Sequence, residues 1–90
     1  MYTISIVYDD PKMKEMVLKA PSKMQPFLEF YDMNTIDGRK NGFKIKGAWG
    51  ARKNPFVLIE GGDRAVKVLY SENNWEDNAV EQLLKFLNND

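Results

Sequence analysis

The chain has 90 residues, with 13 Lys and Arg against 13 Asp and Glu, and contains neither cysteine nor histidine. One domain is expected at this length, and without Cys or His it can form no disulfide, thiol redox cycle, thiolate or imidazole metal site, or Ser-His-Asp triad. A formal net charge of zero argues against a general polyanion binder, because such proteins carry a basic excess that neutralises phosphate.

Residues 2–8 alternate β-branched and aromatic side chains, with Tyr2, Ile4, Ile6 and Tyr8 on one face and Val7 on the other, and predict a strand. The segment has no cationic leader region or cleavage site, and no apolar run approaches the roughly 18 residues of a membrane span, so a non-secreted chain without membrane contact, cytoplasmic or within a macromolecular assembly, is expected. Asp10-Pro11 is a helix start: the carboxylate accepts an otherwise unpaired amide hydrogen, and proline at the first helical position loses nothing by lacking one. The helix from Lys12 to Ala20 then carries Met13, Met16, Val17 and Ala20 at helical spacing. Pro21 and Pro26 bracket a loop before a second strand over 27–31, with Leu28 and Phe30 on one face, and a turn region runs from Asp32 to Gly38.

Residues 39–50 fit two patterns. Phe43-Lys44-Ile45-Lys46 alternates like an exposed strand, while Ile45 and Trp49 also meet at helical spacing, and Gly42 and Gly47 weaken a helix by on the order of 1 kcal/mol each. Pro55 precedes Phe56-Val57-Leu58-Ile59, a continuous apolar run that predicts a central strand. Gly61-Gly62 supplies a tight reversal, and Arg64 to Tyr70 returns as the second arm of a hairpin with Val66, Val68 and Tyr70 alternating. Asn73 or Asn74 caps a last helix from Trp75, whose stripe is Ala79, Val80, Leu83, Leu84 and Leu87. The order is β-α-β-(α)-β-β-α, in one domain over 1–90.

This order, with a proline directly ahead of the final hairpin, resembles the thioredoxin fold over nearly the whole chain. Trp49-Gly50-Ala51-Arg52-Lys53-Asn54-Pro55-Phe56 is similar to the family segment that ends helix 2 and leads into a cis-proline. Asp10-Pro11-Lys12-Met13 stands where glutaredoxins carry Cys-Pro-x-Cys, with Asp10 and Met13 in the two cysteine positions. The resemblance implies an α/β thioredoxin-like domain with a four-stranded mixed sheet flanked by helices, a helix over the ambiguous segment, Trp49 in the core and Pro55 as the cis-proline. Thiol-disulfide exchange needs a thiolate, so the family's redox activity is excluded. The Gly-Gly pair of the glutathione site is replaced by Tyr70-Ser71-Glu72-Asn73. In its Lys/Asn-rich, cysteine-free composition the chain is similar to accessory proteins of bacteria or their phages.

Two functions are compatible with these residues. The first, implied by the resemblance, is a redox-inactive protein-interaction module or assembly subunit. Its groove, formed by Asp10, Pro11, Lys12, Met13, Asn54 and Pro55, would pair with an extended segment of a partner protein. The second is a nucleic-acid or polyanion site on the basic segment Arg39, Lys40, Lys44, Lys46, Arg52 and Lys53, with Phe43 and Trp49 interleaved. Asp9 and Asp10 are adjacent and do not converge on one bond, and Gly61-Gly62 lacks the helix and lysine of a phosphate loop, so no enzymatic chemistry, cofactor or metal is expected.

Overall fold

The structure is a computed structural model that describes residues 2–20, 23, 25–61, 67–68 and 79–88. Strand β1 (Tyr2–Tyr8) lies between β2 (Leu28–Asp32) and β3 (Phe56–Gly61). It pairs in parallel with β2, from Ile4 opposite Leu28 to Tyr8 opposite Asp32, and antiparallel with β3, from Tyr2 opposite Gly61 to Val7 opposite Phe56. Because side chains alternate across a strand, each face of this sheet needs its own cover. Ile4, Ile6, Tyr8, Val57 and Ile59 face α1 (Pro11–Lys19) and α3 (Ala79–Asn88), where Met13, Val17, Leu83 and Leu87 complete one core. Val7, Phe56 and Leu58 form the other core with Ala51, and Ile45 of α2 (Ile36–Ala48) packs against it.

Helix α1 begins where Asp10 Oδ1 accepts from the Lys12 amide at 3.0 Å, with Pro11 at its first position. Its last carbonyls would be unpaired in isolation. Gln25 Nε2 donates to the carbonyls of Val17 and Ala20 at 2.9 and 2.7 Å and closes that end.

Residues 36–48 are helical, which settles the ambiguity of that segment. Thr35 caps the helix by accepting from the Gly38 amide at 3.0 Å, and Asp37 sits in its first turn, where the helix dipole favours an acid. The glycine that weakens helix propensity is what lets the helix reach the sheet. A Cβ on Gly42 would stand 2.5 Å from Met33 Sδ and 2.9 Å from Val7 Cγ1.

Two expectations are corrected here. The four-stranded thioredoxin-like sheet is not found: the described residues form a small α/β domain with three α-helices and a mixed sheet of three full strands. Among the described residues the expected fourth strand amounts to the pair Lys67–Val68, set against Ile59 and Leu58 at the outer edge of β3. Alternation over 64–70 reports which face each side chain would take, not how far a ladder extends, and residues 64–66 and 69–70 lie outside the described residues. The cap at Asn73 or Asn74 and the first turn at Trp75 lie outside the described residues, as does Gly62. Gly61 has φ of 106°, a conformation that favours glycine. Trp49 is not a core residue, being 48% exposed: it caps the end of α2, and Ala51 and Ile45 fill the place beside Phe56 instead.

Candidate functional site

The pairing of Val7 with Phe56 decides where the site forms, because the next residue on each strand is Tyr8 on β1 and Pro55 on the other side. One step further, β1 turns through Asp9 and Asp10 into the first turns of α1. Tyr8, Asp9, Asp10, Lys12, Met13, Met16 and Pro55 therefore line one open concavity of about 310 Å³. Four of the six predicted groove residues are brought together: Asp10, Lys12, Met13 and Pro55. Pro11 is exposed at the helix start, and Asn54, half-buried, is bonded to Lys46 rather than lining the concavity.

The floor is apolar. Met13 and Tyr8 are buried, and the Tyr8 ring packs edge-on against Phe30 with centroids 6.0 Å apart. Burial, followed by the nearby Asp32 carboxylate, raises the Tyr8 hydroxyl above its ordinary pKa, so it stays neutral. Met16 is 51% exposed at the rim, which separates it from Met13 and Val17, its companions in the helical pattern. Asp9 and Asp10 are exposed on the same rim.

The rim is pinned to the neighbouring turn. The Met33 amide donates to the Tyr8 carbonyl at 2.8 Å, and Asn34 Nδ2 donates to the Asp9 carbonyl at 2.7 Å. Asn34 is itself held by Asp32 Oδ1, which accepts from its amide at 2.8 Å and from Nδ2 at 3.1 Å. The opposite wall carries a cis peptide bond between Asn54 and Pro55. Asn54 Oδ1 accepts from Lys46 Nζ at 2.7 Å.

Lys46 corrects the predicted basic face. Its side chain is only 2% exposed, and its ammonium lies 5.5 Å from the centre of the Phe43 ring. Desolvation lowers its pKa, against an opposing pull from Asp9. It follows Gly38 and Gly42 on the helix face that meets the sheet, which is why it points inward. Arg39, Lys40 and Lys44 remain exposed on α2, and Arg52 and Lys53 are exposed beyond it.

Tyr8, Asp9 and Met16 are the lining residues that sequence reasoning did not place in the groove. The Asp-Pro helix start marks one side of the site, but its meeting with Pro55 depends on strand register. Chemically the arrangement offers thioether and ring surface below a charged rim, suited to holding a side chain. No family model, curated protein or solved structure matches the chain. No helix among the described residues is long and apolar enough to cross a membrane.

Proposed function

We propose that the protein is a non-enzymatic interaction module that holds an extended segment of a partner protein in the groove between the start of α1 and Pro55. The observation that carries this reading is the concavity of about 310 Å³ with Tyr8, Met13, Met16 and Pro55 as its apolar lining. That volume is at the small end of ligand sites, roughly 300 to 1,000 Å³, and suits one large apolar side chain better than a cofactor. Methionine side chains adapt to varied shapes, so two of them in the lining favour a peptide anchor over a rigid small molecule. The exposed carboxylates of Asp9 and Asp10 favour a Lys or Arg next to that anchor.

The polyanion alternative on residues 39–53 loses Lys46, one of its six cations, to the interior. It keeps Arg39, Lys40, Lys44, Arg52 and Lys53.

Capture from the native extract at low and high salt tests the groove reading. The comparison is between the wild type, Met16→Glu in the groove and Lys40→Glu with Lys44→Glu on α2. A protein retained at high salt by the wild type and the α2 variant, but lost by Met16→Glu, is the expected result. Nucleic acid released by salt, with no response to Met16→Glu, would replace this reading with the polyanion one.

A further inference from the structure

The groove leaves unexplained the most exposed apolar surface of the described residues. Ile36 is 88% exposed and Phe43 58%, both on α2. With about 100° between successive residues, Ile36, Phe43 and Gly47 fall within roughly 40° of one another on the helix surface. Lys40 and Lys44 flank this strip on one side and Arg39 on the other. A Cβ built on Gly47 meets nothing within 4 Å, so the strip has an open notch beside Phe43. The only acid on the helix is Asp37, in its first turn.

We infer that the outward face of α2 is a second docking surface and takes an acidic amphipathic helix from a protein partner. The strip would seat the partner's apolar residues, and Arg39, Lys40 and Lys44 would meet carboxylates on either side of them. A symmetric dimer through this face does not fit, because two such faces would oppose like charges. Nucleic acid fits less well, since Ile36 neither stacks on a base nor contacts a phosphate favourably, and Phe43 is the single aromatic on the strip. Two apolar residues are also too few to seat the helix in a lipid surface. This inference stands independently of the groove.

The test is a fluorescence anisotropy titration with a labelled helical peptide bearing leucines along one face and glutamates on both flanks. The same peptide with lysines for glutamates, a single-stranded oligonucleotide, and phosphatidylserine-containing vesicles are titrated in parallel. Lys40→Glu with Lys44→Glu, and separately Phe43→Ser, change exposed positions, and circular dichroism checks that both variants fold. Chemical-shift mapping on the wild type locates the contact without relying on any variant. The glutamate peptide should bind at α2, weaken by about tenfold or more in each variant, and give way to the lysine peptide in the charge-reversed one. Equal binding of both peptides, shifts centred away from α2, no peptide binding, or preference for the oligonucleotide or vesicles would each overturn the inference.

Discussion

An ammonium group enclosed by protein is costly to keep charged, and at Lys46 that cost becomes a pH dependence. Its folded pKa is lowered from 10.5 by desolvation, so between that lowered value and 10.5 the unfolded chain binds more protons than the folded one. Stability from this group therefore rises with pH through that window, and below it the burial cost is fully present. Tyr8 and Tyr31 act in the opposite sense: burial raises both above 10.0, so their contribution falls as pH climbs past that value. Comparing the wild type with Lys46→Met cancels the tyrosines. Urea unfolding at a series of alkaline pH values should show the difference moving in favour of the wild type as pH approaches 10.5, and a flat difference would contradict the assignment. Asp10→Ala removes the cap of α1 and should cost about 1 kcal/mol in the same assay at neutral pH. Charge pattern alone does not report depth, so it does not separate Lys46 from the exposed Lys40 and Lys44. The place of Lys46 in line with Gly38 and Gly42 was the available signal.

At the scale of elements, two glycines of one helix should respond in opposite directions. Gly42→Ala puts a methyl group against Met33 Sδ and Val7 Cγ1, and overpacking of this kind costs about 1–3 kcal/mol, more than the gain in helix propensity. Gly47→Ala meets open space, and should stabilise the protein by roughly 0.5–1 kcal/mol. Thermal unfolding of the two variants checks the pair. The same helix shows where periodicity is silent. Its apolar positions fit strand and helix alike, and the choice is made by close packing of Gly38 and Gly42 on the sheet. Strand β1 is legible from the alternation of Tyr2, Ile4, Ile6 and Tyr8, and β3 from the continuous apolar run Phe56-Val57-Leu58-Ile59. For the fourth strand, alternation gives the face of each side chain but not the length of a ladder, and among the described residues Lys67–Val68 is the part that pairs with β3.

For the whole molecule, the sheet brings the β1–α1 turn and the loop before β3 to one end, and the groove is a consequence of that placement. Half of it was readable from the Asp10-Pro11 helix start and from Pro55. The contribution of Tyr8 and Met16 was not, because it follows from the long-range register of Val7 with Phe56. Met16→Glu changes an exposed side chain, so it should leave the unfolding midpoint close to that of the wild type while abolishing partner capture. The groove is tested most directly by placing a photoreactive residue at position 16, with another at position 40 for comparison, and irradiating the protein in native extract at high salt. A protein adduct from position 16, formed through an apolar side chain of the partner, is the predicted result. No adduct from position 16, with crosslinks confined to position 40, would contradict the account.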